Sequence, residues 1–305
     1  MRVTAAARTV VVAVNPMASF GHRRDVGPRV VERLREAGHR VVAMDEANIE
    51  LLRRETARAL HDDADPPDAL VVVGGDGMAN LGIDLVAGTG TPLGIVPSGT
   101  GNDLADGLGI PIRDTEAAID LLIGALQREP RTIDAGTIRH GELTTWFGCV
   151  VSAGFDAIVN ERANLMTRPR GRSRYVVALL RELATLKARR YRIHADGRLI
   201  EVDAMLVSVA NNRSLGGGMR IVPDADLSDG LLDLFIVGRM SRLRFLRVFP
   251  SVFRGEHTGL PEVTILPVSA VRIDAEGIVA YADGERIGPL PIEVAVAPGV
   301  LRMLV

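Results

Sequence analysis

Two short glycine loops, each with an acid in it, are the residues of this chain best suited to chemistry. The first reads Gly74-Gly75-Asp76-Gly77 and the second Pro97-Ser98-Gly99-Thr100-Gly101-Asn102-Asp103. Glycine has no Cβ, so backbone N–H groups can converge on phosphate oxygens, and a neighbouring carboxylate can hold Mg2+ or accept a proton. Each loop closes an apolar run, Val71-Val72-Val73 before the first and Leu93-Gly94-Ile95-Val96 before the second, and Asn15-Pro16 ends a third run from Val10 to Val14. Such runs read as buried parallel strands, and open α/β sheets bind ligands at the carboxyl ends of those strands. Turn chemistry alone would account for one such loop; the set of three predicts a nucleotide phosphate site.

The commoner phosphate and hydrolase signatures are absent. The chain has no GxxxxGK[ST] loop, no GxGxxG after a strand and no GxSxG elbow, and its six histidines are scattered without metal-ligand spacing. What remains are acids beside glycines: Asp76, Asp103, Asp134 in Ile133-Asp134-Ala135-Gly136, Asp226 and Asp229 in Asp226-Leu227-Ser228-Asp229-Gly230, and Asp283 and Glu285 around Gly284. Asp beside Gly also favours turns and helix caps, and Asp103 stands where its charge suits the start of a helix from Leu104 to Leu108.

The elements that must position these residues change character along the chain. Up to about Arg128, strand patterns at Val10 to Val14, Arg40 to Ala43, Ala69 to Val73 and Leu93 to Val96 alternate with helical patterns at Val26 to Ala37, Ile49 to Leu60, Met78 to Val86 and Thr115 to Leu126. Repeated β-then-α units with right-handed crossovers imply a parallel, three-layer α/β sheet with the three loops at one edge. After Pro130 strand patterns follow one another: Thr132 to Ile138, Leu143 to Val151, Arg192 to Ala195, Leu199 to Val209, Leu231 to Val237, Val271 to Ile273, Val279 to Ala282 and Ile292 to Ala297. Turns at His140-Gly141, Asp196-Gly197 and Glu276-Gly277 punctuate them, which predicts a mostly antiparallel β-sandwich. Helical insertions are expected around Tyr175 to Lys187 and Leu243 to Phe253.

At 305 residues the chain has length for two domains and an ample core without disulfides. Its one cysteine, Cys149, lies in an apolar strand-like run, as a core thiol would in a reducing compartment. No apolar stretch reaches the roughly eighteen residues of a spanning helix, and the beginning at Met1-Arg2-Val3-Thr4 lacks a signal-peptide core, so a cytoplasmic protein is expected. A net charge of −2 disfavours nucleic acid as a partner. Arginines nevertheless cluster with apolar residues at helical spacing in both insertions, from Ser173 to Arg190 and from Arg239 to Arg254. Such stretches can lie on an anionic membrane face or simply pack on the sandwich.

Taken in order, the motifs resemble the diacylglycerol kinase catalytic-domain family, most closely its soluble bacterial members. The resemblance rests on Asn15-Pro16, Gly74 to Gly77 with Asn80, Pro97 to Asp103, Asp134-Ala135-Gly136, Gly216-Gly217-Gly218-Met219, Pro223-Asp224-Ala225, Asp229-Gly230, Arg254-Gly255-Glu256-His257 and Asp283-Gly284-Glu285. It implies a Rossmann-like, NAD-kinase-like domain over residues 1–130, rejoined by 298–305, and a sandwich domain over 131–297 that takes the lipid. It further implies that Asn15, Pro16, Gly74, Gly75, Asp76, Gly77, Met78 and Asn80 contact ATP phosphates, with Gly99, Thr100, Asn102 and Asp103 in the nucleotide site. Glu285 or Asp76 would be the base for the lipid hydroxyl, and Asp226, Asp229 and the Leu231 carbonyl would hold a structural Mg2+. The implied activity is ATP- and Mg2+-dependent phosphorylation of diacylglycerol at the inner face of the cytoplasmic membrane, with a homodimer compatible and the site lying between the domains. NAD-kinase-like or sphingoid-lipid kinases share the GGDG loop and stand as alternatives, as does a silent nucleotide or lipid sensor. Met78 replaces the family's usual threonine, which removes a hydroxyl from the loop and is expected to weaken ATP binding.

Overall fold

The computed structural model describes residues 7–15, 25–62, 66–166, 181, 187–216 and 218–305. Pro16, Gly217 and most of the predicted insertion from Tyr175 to Lys187 lie outside them. The chain forms two compact units, Met1–Ile133 with Gly299–Val305, and Asp134–Pro298.

The first unit is a parallel sheet with helices on both faces. Its strands are β1 (Thr9–Val14), β2 (Arg40–Met44), β3 (Ala69–Gly74) and β4 (Leu93–Pro97), ordered β4-β3-β1-β2. Every residue of β3 and β4 is buried, so these strands carry uninterrupted apolar runs, whereas no residue of β2, at the edge, is fully buried. The helices are α1 (Val26–Glu36), α2 (Ile49–Leu60), α3 (Asp76–Val86), α4 (Asp103–Gly107) and α5 (Thr115–Ala125). Val30, Val31 and Leu34 of α1 and Ile119 and Leu122 of α5 share one core with Val10, Val12, Val71, Val73 and Val96. On their outer sides α1 and α5 are tied by Arg29–Glu116 (2.8 Å) and Arg33–Asp120 (2.5 Å), and α2 is tied to α3 by Arg53–Asp84 (2.9 Å). The chain's last residues return to this sheet, where Met303 pairs in parallel with Leu93.

The second unit is an antiparallel β-sandwich. Its elements are β5 (Arg131–His140), β6 (Leu143–Phe147), β7 (Val150–Ser152), α6 (Phe155–Leu165), β8 (Arg189–Ala195), β9 (Arg198–Ala210), β10 (Leu232–Gly238), α7 (Arg242–Val248), a 3-10 turn (Phe249–Arg254), β11 (Val263–Val268), β12 (Ala270–Asp274), β13 (Val279–Ala282), β14 (Glu285–Pro289) and β15 (Ile292–Met303). Both β5 and β15 run through the boundary between the units. The long strand β9 organises the unit, pairing with β8 along its first half and with β10 and β7 along its second. Alternate residues of these strands, among them Tyr191, Ile193, Val207, Val209, Leu234, Ile273 and Val294, form one continuous core.

Three local readings of the sequence need correction. The stretch from Leu143 to Val151 is two strands, because the N–H groups of Gly148, Cys149 and Val150 are drawn to the Asp283 carboxylate and away from a neighbouring strand. The insertion from Leu243 to Phe253 is a short α-helix followed by the 3-10 turn, with Pro250 at the switch, where a proline cannot donate to a continuing helix. Finally, α6, β11 and β14 went unpredicted: β11 and β14 are short and follow turns closely, and α6 has a weak apolar period in Phe155-Asp156-Ala157-Ile158-Val159.

Candidate active site

In the first unit the two glycine loops are fastened into one structure by Asp76. The Asn102 N–H donates to its Oδ2 (3.0 Å) and the Asp103 N–H to its Oδ1 (2.7 Å), so one carboxylate at the start of α3 holds the start of α4. The backbones touch as well: Ser98 N–H donates to Gly74 O (2.7 Å), and a Cβ on Gly75 would come within 2.9 Å of Gly99 Cα. A Cβ on Gly101 would collide with the same Asp76 oxygen that Asn102 uses. These contacts explain the glycines as packing requirements in addition to any ligand. Asn102 takes the left-handed conformation (φ 59°) that asparagine tolerates, and its amide closes the second loop through Gly99 N–H to Oδ1 (2.9 Å) and Nδ2–H to Gly99 O (3.2 Å).

Around this clasp lies backbone suited to anions. Helix α3 begins at Asp76 after Gly75, which has no side chain to cap the first N–H groups, and Gly77 is exposed with open space where a side chain would stand. The positive end of an eleven-residue helix meets the solvent there. Asn15 closes β1 on the same strand ends, its N–H donating to Val73 O (3.1 Å). Asn80 is half-buried one turn into α3. The Met78 side chain is placed elsewhere: it is 2 % exposed, fills the core against Gly74, and its N–H donates to Gly75 O (3.0 Å). The position thus acts as a core filler.

In the second unit, Asp283 has a built setting. Its two carboxylate oxygens accept from Gly148 N–H (2.8 Å), Cys149 N–H (3.1 Å) and Val150 N–H (2.7 Å), and its own N–H donates to Val150 O (3.0 Å). Three N–H donors on one anion form a concave backbone nest, and the bonds are charge-assisted. They lock Asp283 at φ 47° and Gly284 at φ 87°, which turns β13 into β14 and presents Glu285, exposed, as the first residue of β14. On the same hairpin Tyr281 O–H donates to Glu161 Oε2 (2.6 Å) and Arg286 Nε–H to the same oxygen (3.1 Å), anchoring α6. The Tyr281 hydroxyl first, and Arg286 second, hold the Glu161 carboxyl below the usual range. Sequence reasoning missed Glu161, which carries no motif.

The acids predicted to hold a metal sit in tight turns. Asp226 Oδ1 accepts from Ser228 N–H (3.0 Å) and Oγ–H (2.8 Å), and Asp229 Oδ1 accepts from Leu231 N–H (2.9 Å). Asp134, 3 % exposed, accepts from Gly230 N–H at Oδ2 (2.7 Å) and donates its own N–H to Leu227 O (2.6 Å), which pins this loop to β5. Burial, reinforced by Asp229 and Asp224, pushes the Asp233 carboxyl up to about 6. No group of three His, Cys, Asp or Glu side chains among the described residues is gathered as a metal cage. The donors are all oxygens and the local charge is negative, which fits a Mg2+ held by one or two carboxylates, a carbonyl and water. Asn211 was also missed: buried at the end of β9, its Nδ2 donates to Asp134 O (3.2 Å) and Gly148 O (3.0 Å), joining this loop's strand to the Asp283 nest.

His257 has a structural position. It is 2 % exposed, its Nε2 lies 2.9 Å from Ile221 O, and its ring meets Phe235 edge-on at 5.5 Å. Burial holds its pKa below the ordinary 6.5. The unfolded chain therefore takes up a proton first, and the stability His257 contributes above pH 6.5 is lost as pH falls below that value. For one such group the loss is at most about 1.4 kcal/mol per pH unit. A thermal melt series between about pH 7.5 and 5.5 should show the melting temperature falling, and His257→Gln should flatten the fall; an unchanged slope would contradict this assignment.

A three-layer α/β unit with tied glycine loops, joined to an antiparallel sandwich, defines a two-domain kinase fold shared with NAD kinases. The NAD kinase from Archaeoglobus fulgidus in complex with ATP superposes with a TM-score of 0.52 at 12% identity over 97% of this chain and 93% of that one. A putative diacylglycerol kinase from Bacillus anthracis str. Sterne superposes better, with a TM-score of 0.72 at 21% identity over 97% of this chain and 96% of that one. Residues 9–138 match the diacylglycerol kinase catalytic domain and residues 149–305 the YegS C-terminal NAD kinase beta sandwich-like domain. Diacylglycerol kinase of Mycobacterium tuberculosis (strain ATCC 25618 / H37Rv) is 39% identical over 97% of this chain and 94% of its own length. That of Bacillus subtilis (strain 168) is 30% identical over 74% of each chain. The chain belongs to the diacylglycerol kinase family.

Proposed function

We propose that this protein transfers the γ-phosphoryl group of ATP to the hydroxyl of diacylglycerol, giving phosphatidic acid and ADP. The observation that carries the proposal is the Asp76 clasp, which fixes two glycine loops at the carboxyl ends of β3 and β4 with the uncapped start of α3 between them. Phosphoryl transfer asks a protein for positioning and for donors aimed at spread negative charge, and preformed backbone N–H groups supply both. In the reaction the bond from the γ-phosphorus to the β–γ bridging oxygen breaks as one from the acceptor oxygen forms, and the hydroxyl proton leaves. Glu285 takes that proton. It is exposed on a locked turn, and each Asp76 oxygen accepts an N–H from the second glycine loop, which it serves to position. Mg2+, when bound, neutralises phosphate charge and, at Asp226, Asp229 and the Leu231 carbonyl, would steady the loop pinned by Asp134. The relatives named diacylglycerol kinase support a lipid acceptor over NAD, because the NAD kinase likeness extends to the fold alone.

The test is to incubate the purified protein with radiolabelled ATP, Mg2+ and, separately, diacylglycerol, sphingosine or NAD. Labelled phosphatidic acid is the expected product. Label in phosphorylated NAD, or in no lipid, would overturn the proposal.

A further inference from the structure

A lipid kinase works at a bilayer, and it must have a face that meets one. We propose that this face is the outward side of α7 and the 3-10 turn after it, and that it seats on anionic phospholipid; the proposal rests on the reading of the acceptor as a lipid. Helix α7 is capped by Ser241, whose Oγ accepts from Arg244 N–H (3.2 Å), and it has two apolar sides. The inner side is satisfied: Phe245 packs edge-on with Phe155 (5.5 Å) and beside Phe249 (5.9 Å), in a cluster with Val159 and Met205. The outer side faces water, with Leu243 78 % exposed, Leu246 47 % and Phe253 49 %. The described residues hold six exposed large hydrophobics, and half of them fall in this one short segment, which makes a patch and not the usual scatter.

The charge around the patch identifies the partner. Arg239, Arg242, Arg244, Arg247 and Arg254 lie within the segment from 239 to 254, which contains no acid, in a chain whose net charge is −2. Arg244 and Arg254 reach Glu262 (2.5 Å) and Glu256 (2.7 Å) just beyond it, and all five arginines are exposed in the segment that carries the leucines. Leucine and phenylalanine flanked by arginine suit the boundary between acyl chains and anionic headgroups. A second copy of the chain docking face to face would set these arginines against themselves.

Two variants test the surface, Leu243→Ser/Leu246→Ser/Phe253→Ser and Arg242→Gln/Arg247→Gln, each assayed by co-sedimentation with vesicles of phosphatidylglycerol or of phosphatidylcholine, without ATP. The unaltered protein should bind phosphatidylglycerol vesicles in a salt-sensitive manner, and each variant should lose at least about tenfold in partition, the arginine variant losing the salt dependence as well. Both should keep their melting temperature and their activity on monomeric short-chain diacylglycerol while losing activity on vesicle-borne substrate. Vesicle binding unchanged in both variants would overturn the proposal, as would a change in sedimentation coefficient that accounts for the patch as a dimer contact. Vesicle binding lost in the variants of a protein that phosphorylates no lipid would keep the surface and defeat the proposed function. Lipid phosphorylation with vesicle binding intact in both variants would do the reverse.

Discussion

Glu285→Gln should lower kcat by about 10²- to 10⁴-fold, the range by which a positioned general base accelerates a proton transfer. Glutamine keeps the size and much of the polarity of the side chain but cannot take the proton. Because Glu285 is exposed and follows a turn that Asp283 holds without its help, the melting temperature should stay within a few degrees of the unaltered protein. Nucleotide affinity, measured by calorimetry with ADP, should be unchanged. Asp283→Ala makes the informative contrast. It removes three charge-assisted bonds from the N–H groups of Gly148, Cys149 and Val150, so it should lower stability and kcat together. Near-normal turnover in Glu285→Gln would remove this residue from the chemistry.

Asp76→Ala should be the other severe change, for a different reason. It leaves the N–H groups of Asn102 and Asp103 without their acceptor, and it frees the second glycine loop from α3. Bonds to a half-buried carboxylate are worth about 1.5 kcal/mol apiece, so a loss of about 3 kcal/mol in stability is expected. On the proposed function, turnover should fall by about 10²-fold or more, since errors of about an ångström in a loop that positions the reactants cost rate. ADP should bind more weakly as well. Asp76→Asn, which retains one acceptor oxygen, should recover part of the stability and part of the ADP affinity. If instead Asp76→Ala lost turnover with stability and ADP affinity intact, the carboxylate would be acting on the reactants and not as a tie between loops.

The particular residues show where sequence sufficed. Uninterrupted valine runs at β1, β3 and β4 can be read as central parallel strands because both faces of such a strand must be apolar. The glycines and acids at their ends can be read as turns because those residue types are costly in strands and useful in turns. Successive strand patterns punctuated by turns at His140-Gly141, Asp196-Gly197 and Glu276-Gly277 likewise announced a sandwich. Neither α6 nor the break at Gly148-Cys149 could be seen this way. The first has little periodicity, and the second is imposed by a carboxylate 133 to 135 residues away.

By itself, then, the sequence determined the α/β-then-β order, the position of the glycine loops and the acids that stand beside glycines. Local periodicity and turn chemistry act over a few residues, and they are written in consecutive letters. The tertiary structure decided how each acid is used, because hydrogen-bond partners come from distant segments. It spent the oxygens of Asp76 on the second glycine loop and those of Asp283 on the nest before β7, and it left Glu285 exposed on the turn that results. It also turned Met78 into the core, against Gly74. Burial and pairing depend on what the folded chain brings alongside, and that is a property of three dimensions.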